Sequence, residues 1–252
     1  MSGGMNAGTL YLIPATLCDL KRSDANTALL DASLPAAVRA RAASLNSFAV
    51  ENAKSARSFL KIVGMGRPIA ELDIVEIGHE PDEKTLKPLV DKLLLGIDVG
   101  ILAEAGCPGI ADPGAQLVRM AHAARVRVVP LTGPSSILLA LMAAGLEGQR
   151  FAFAGYAPVK SPLREDFLKK LEARSIRERE TQILIETPYR NTALMQALTT
   201  TLKSETRLCA AVDLTLATES IRTMHVGEWR RALPSLEALD KKPAVFLFLA
   251  TP

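Results

Sequence analysis

Residues 99–145 hold a strand, a loop and a helix written twice in succession, and no other stretch of this 252-residue chain narrows the fold as far. Val99-Gly100-Ile101-Leu102-Ala103 is short, apolar and partly β-branched, and it stops at Glu104 and Gly106. That is the pattern of a strand buried on both faces of a parallel sheet. The loop over 104–114 carries three glycines and two prolines, a composition that brings backbone close to a ligand instead of filling a core. Asp112-Pro113 then reads as the start of a helix, with Asp as N-cap and Pro in the first turn. A second strand over 126–131 leads into Thr132-Gly133-Pro134-Ser135-Ser136 and a helix that Gly145 ends. In a parallel sheet both loops lie at the carboxyl ends of their strands, where open α/β sheets bind ligands.

The same alternation runs back to the start of the chain. Thr9-Leu10-Tyr11-Leu12-Ile13 is a first strand closed by Pro14, a loop covers 15–20, and a short helix is predicted over 34–45. Residues 23–33 show no clean period. A strand over 48–51 leads to Asn52, which caps a helix with Ala56, Phe59 and Leu60 on one face and Lys54, Arg57 and Lys61 on the other. A half-exposed strand over 72–77 and a helix over 82–95, with Leu86, Leu89, Val90 and Leu93 inward, complete the first half. The texture changes over 146–161, where turn formers flank the strand Phe151-Ala152-Phe153-Ala154, so the domains are drawn as 1–147 and 148–252. Beyond lie a charged helix over 162–180, a strand over 182–185, a helix over 189–202, and strand candidates over 208–212, 221–225 and 244–249. The last two have little helix between them, and the second sheet is expected to be mixed.

With 48% hydrophobic and 23% charged residues, the chain folds around a real core. A net charge of +3 permits a nucleic-acid partner without requiring one. The basic residues of 160–179 are interleaved with acids, as on a solvated helix with ion pairs, and one Trp and three Tyr offer no base-stacking platform. Cys18, Cys107 and Cys209 lie far apart, and neither they nor His79, His122 and His225 have metal-ligand spacing. His122, within a helix, reads as a packing residue. A reducing, cytoplasmic setting without metal, leader peptide or membrane span is expected.

Five blocks, in order, resemble the tetrapyrrole methylase family of S-adenosylmethionine (SAM)-dependent methyltransferases. Within that family they are most similar to the branch that methylates a ribose 2′-hydroxyl of small-subunit ribosomal RNA. Residues 8–20 (GTLYLIPATLCDL) follow G-x-L-Y-x-V-P-T-P-I-G-N-L, 103–114 (AEAGCPGIADPG) follow S-D-A-G-T-P-x-I-S-D-P-G, and 129–135 (VPLTGPS) follow V-P-L-P-G-P-S/C. Residues 153–158 (FAGYAP) are similar to F-x-G-F-x-P and 186–190 (ETPYR) to E-S-P-H-R. The departures are Cys18 for Gly, Glu104 for Asp, Tyr189 for His, and Ala49-Val50-Glu51-Asn52-Ala53-Lys54 where the branch has A-E-D-T-R. The resemblance implies an α/β protein of two α/β domains, the first sheet mostly parallel and the second mixed, with the cofactor SAM in the cleft between them. It also implies a homodimer and an RNA substrate. Leu17, Cys107, Ile110, Ser135 and Ser136 fall at its cofactor-contacting positions, and Tyr156 at the domain junction.

Methyl transfer from SAM is an in-line displacement that needs alignment more than covalent help. Ser135 and Ser136, opening a helix, offer hydroxyls and helix-start N–H groups to a carboxylate or ribose, and taken without the resemblance Ser135 reads first as an ordinary N-cap. Glu104 suits a charge-assisted bond to cofactor ribose or amine, or is a solvated loop carboxylate. Glu51 and Glu186, at predicted strand ends, are candidate catalytic acceptors of a hydroxyl proton, Glu51 reading also as a helix-start charge. Arg190 is a candidate substrate contact or a surface residue. Cys107 has no base assigned near it and is not read as a nucleophile. A methylase of a tetrapyrrole precursor and a SAM-binding module without catalysis remain as alternatives.

Overall fold

The structure, a computed structural model, describes residues 7–17, 26–232, 239 and 241–251. Cys18, in the first expected loop, lies outside the described residues. The chain divides into two compact units, Met1–Ser135 and Ser136–Pro252.

The first unit is built on five parallel strands, β1 (Thr9–Ile13), β2 (Ser47–Val50), β3 (Asp73–Glu76), β4 (Val99–Leu102) and β5 (Arg127–Pro130), in the order β3-β2-β4-β1-β5. β2 and β4 are buried along their whole length, as strands covered on both faces must be. Helices α1 (Asn26–Ser33), α2 (Ala36–Ser44) and α3 (Ala53–Val63) contribute to one core, in which Leu30, Leu34, Ala42, Phe59 and Leu60 pack with Ile13 and Phe48. Helices α4 (Glu83–Leu94) and α5 (Ala115–Ala123) build a second, with Leu86, Leu89, Leu93 and Leu117 against Leu10 and Ile101. The Asn52 side chain caps α3 by accepting from the Lys54 and Ser55 amides at 2.9 and 3.1 Å, and Asp82 caps α4 through the Thr85 amide at 2.8 Å.

Three local expectations change. Helix α1 occupies part of the stretch without a period, because Leu30 and the following Leu34 are enough to seat so short a helix. Asp112 is not the cap of α5. The helix begins two residues further on, after Gly114, whose φ of 143° turns the chain where a Cβ would lie 2.8 Å from Ile101 Cδ1. His122, expected to pack, is exposed on α5.

The second unit contains α6 (Ser136–Ala144), β6 (Phe151–Tyr156), α7 (Leu163–Glu178), β7 (Thr181–Glu186), α8 (Asn191–Thr201), β8 (Arg207–Val212), β9 (Ser220–His225), α9 (Val226–Ala232) and β10 (Ala244–Leu249). Its sheet runs β6-β7-β10-β8-β9, parallel only between β6 and β7, and is mixed as expected. α6 packs beside β8, β9 and β10, and Thr223 Oγ1 donates to the Ala144 carbonyl at 2.8 Å. Helix α9 fills the gap expected to hold little helix, anchored by buried Trp229, whose Nε1 donates to the Leu208 carbonyl at 2.8 Å. Ion pairs do lace α7, Arg177 to Glu178 at 2.7 Å among them. Glu172 departs from that reading. It is buried and accepts from the Lys203 amide at 2.8 Å and from Thr206 Oγ1 at 2.5 Å. Cys107 and Cys209 are free thiols, and no helix among the described residues is long and apolar enough to cross a membrane.

Candidate active site

The strand order of the first unit creates a crevice at one place. From β2 the chain passes through α3 outward to β3, while from neighbouring β4 it passes through α5 in the other direction to β5. Connections that leave adjacent parallel strands in opposite directions open a gap at their carboxyl ends, the usual ligand position of such sheets. Glu51 follows β2 and Glu104 follows shortly after β4, so the two carboxylates stand on either side of this gap. Ser55, in the first turn of α3, spans it by donating to Glu104 Oε1 at 2.6 Å.

Burial sets the electrostatics. Glu51 is 8% exposed, its Oε1 lies 2.8 Å from Nδ1 of His79, and its buried Oε2 has no donor among the described residues. Desolvation raises the Glu51 pKa, His79 opposes that rise, and the charge of Glu104 adds to it. Asp112, freed from capping α5, joins the group. Its carboxyl is pushed up to about 7 by burial first, then by Glu51 and Glu104, with His79 acting against them. Three carboxylates in one electrostatic cluster, one of them poised near neutrality, form a site that favours a cationic or hydroxyl-rich ligand.

The glycine-rich loops close on one another beside this cluster. The Ala15 amide donates to the Gly106 carbonyl at 2.9 Å, joining the loops after β1 and β4. Cys107 Sγ donates to the Pro134 carbonyl at 3.4 Å, joining the loops after β4 and β5. Leu17 lies against Gly106, so close that a Cβ there would come within 3.3 Å of its Cδ2. Burial, and then the charge of Asp112, raises the Cys107 thiol, which is the opposite of what a nucleophile needs. Ile110 is half exposed at the tip of its loop, and Ser135 follows directly after Pro134 as the last residue of the first unit.

The remaining sequence-derived residues lie in the second unit. Ser136 is the first residue of α6, and Tyr156 ends β6, 51% exposed, after a bulge at which Gly155 has a φ of 70°. Glu186 is buried at the end of β7, and one of its oxygens is tied to its own neighbours. Its Oε1 accepts from Arg190 Nη2 at 2.5 Å, Arg190 Nε at 3.0 Å and the Thr187 amide at 2.7 Å. His79 carries the one contact to Glu51 that the sequence did not signal, since neither its spacing nor its neighbours mark it.

Residues 29–229 match the family of tetrapyrrole (corrin/porphyrin) methylases. The chain belongs to this family. Among curated relatives, the ribosomal RNA small subunit methyltransferase I of Vibrio cholerae is 37% identical over 150 residues, 60% of this methylase-family chain and 50% of the relative. The Pseudomonas aeruginosa protein of the same name is 30% identical over 228 residues, 89% of this chain and 72% of the relative. The chain thus spans about half the length of the first of these and more of the second. Among solved structures, uroporphyrin-III-C-methyltransferase from Thermus thermophilus superposes with a TM-score of 0.52 at 17% identity, over 96% of this chain and 94% of that one. A cobalt precorrin-4 methyltransferase superposes with 0.54 at 15% identity over the same shares. Both likenesses are of fold.

Proposed function

We propose that this chain is a SAM-dependent methyltransferase whose acceptor is a hydroxyl of small-subunit ribosomal RNA, by resemblance a ribose 2′-hydroxyl. The observation that carries the reading is the Glu51, Glu104 and Asp112 cluster at the crevice between β2 and β4, in a chain whose relatives carry the ribosomal RNA methyltransferase name. The residues fit the donor. SAM bears a sulfonium and an ammonium with a ribose diol, and the cluster offers carboxylates, one with a buried oxygen that has no donor among the described residues. Glu104, held by Ser55, suits the ribose or the ammonium; Leu17, Cys107, Ile110, Ser135, Ser136 and Tyr156 are proposed as the further cofactor contacts. When bound, SAM supplies an electrophilic methyl group.

The chain's own contribution is alignment and proton management. The tied loops after β1, β4 and β5 hold backbone near the donor, and their fixed geometry lowers the entropic cost of the in-line arrangement. Of the carboxylates proposed to handle the acceptor proton, Glu186 already receives Arg190 and Thr187, which suits that pair to shaping a surface. Glu51 retains capacity. Titration calorimetry with SAM and with S-adenosylhomocysteine tests the cofactor, and transfer from labelled SAM to small-subunit rRNA tests the acceptor. Saturable binding near one site per chain, with transfer lost in Ser135→Ala plus Ser136→Ala, is expected; absence of binding by both ligands overturns the reading. The homodimer implied by the resemblance is tested by sedimentation equilibrium, where a single species of twice the chain mass is expected.

A further inference from the structure

A base that serves a macromolecular acceptor must be both reachable and oriented; Glu104, exposed and held by Ser55, is both, but it is given to the cofactor above. Glu51 is oriented but its side chain is only 6% exposed, whereas the His79 side chain bonded to it is 86% exposed. The contact uses Nδ1 of the imidazole and Oε1 of the carboxylate at 2.8 Å. A carboxylate only accepts, so Nδ1 carries the proton and, in the neutral ring, Nε2 presents its lone pair away from Glu51. Glu104 is engaged by Ser55, and burial together with the charges of Glu51 and Glu104 pushes the Asp112 carboxyl up. Glu186 in the second unit shows the contrast. It is equally buried at a strand end, yet its partner is a guanidinium, which cannot accept a proton.

We propose that His79 is the proton acceptor of the methyl-transfer step and that Glu51 is its positioning residue. This rests on the methyltransferase reading above. As the acceptor hydroxyl oxygen bonds to the methyl carbon, the carbon–sulfur bond of the donor breaks and sulfur keeps its electron pair. The hydroxyl proton passes to His79 Nε2. The imidazolium that results is stabilised by the Glu51 carboxylate, and the proton is later released to solvent through the exposed edge of the ring.

Three measurements on the full chain test this. Long-range proton–nitrogen NMR of the ligand-free protein, with the His79 signals identified by their loss in His79→Ala, is expected to show the Nδ1–H tautomer in the wild type. Glu51→Ala is expected to lose that tautomer while the His122 and His225 signals stay in place. With labelled SAM and small-subunit rRNA, His79→Ala is expected to lower kcat by about 100-fold with KM little changed. Its SAM affinity by calorimetry is expected to match the wild type, and an exposed residue of this kind does not threaten folding. Wild-type protein that fails to bind SAM sinks the methyltransferase reading itself. Wild-type protein that binds and transfers, while His79→Ala keeps activity within about threefold or His79 carries its proton on Nε2, overturns the assignment of His79 alone.

Discussion

Ser55 Oγ donates to Glu104 Oε1 at 2.6 Å across 49 residues of sequence, tying the first turn of α3 to the loop after β4. The bond holds Glu104 at the crevice, where the proposed cofactor amine or ribose meets it. Removing it in Ser55→Ala costs about 1 kcal/mol of preorganisation, which calorimetry reads as roughly fivefold weaker SAM binding. Glu104→Ala is expected to weaken binding further. Equal affinities for all three proteins count against the role given to Glu104.

Asp112 makes stability depend on pH in a direction unusual for a carboxylate. Its folded pKa is raised to about 7 from an ordinary 3.8, so the folded state holds this proton more tightly than the unfolded chain does. Its contribution is therefore most favourable below the unfolded value and declines as pH rises through about 7. Asp112→Asn is expected to leave stability nearly unchanged at about pH 4 and to raise it by about 1–2 kcal/mol at about pH 8, after discounting for partial exposure. Thermal melts of the two proteins across that range check it.

Gly133 sits where a Cβ would lie 2.2 Å from Pro14 Cβ and 2.5 Å from its Cγ. Gly133→Ala pushes the loop after β5 off the loop after β1, at a cost of about 1–3 kcal/mol in urea unfolding. Loss of SAM binding is expected with it. Gly145→Ala is the control, since nothing lies within 4 Å of its Cβ position and only the φ of 64° is strained. That variant should lose about 1 kcal/mol and keep SAM affinity.

Cys107 is the thiol that the loops bury. Because desolvation and then Asp112 raise its pKa, its thiolate is scarce at neutral pH. Peptide mapping after brief iodoacetamide treatment is expected to show it reacting more slowly than a free cysteine. Asp112→Asn should accelerate the reaction. A thiol as fast as free cysteine in the wild type contradicts the environment described for this loop.

Much of the fold was legible because its signals are local. The Asn52 cap, the inward Leu86, Leu89, Val90 and Leu93 of α4, and the end of α6 at Gly145 each follow from residues within one or two turns of each other. The misreadings have local causes as well. Asp112-Pro113 carries a helix-start signal that the turn at Gly114 overrides, and α1 and α9 are too short to display a period.

The sequence by itself determined the order of the strands, the parallel and mixed character of the two sheets, and the glycine- and proline-rich loops at strand ends, because capping, apolar periodicity and turn chemistry act over a few residues. Only the tertiary structure decided which charges are used and how. Glu172 is sequestered by Thr206 from 34 residues away, Glu104 is held by Ser55, and Glu51 is buried against His79. Desolvation and Coulomb attraction depend on separations through space, and the chain brings those side chains together only by folding.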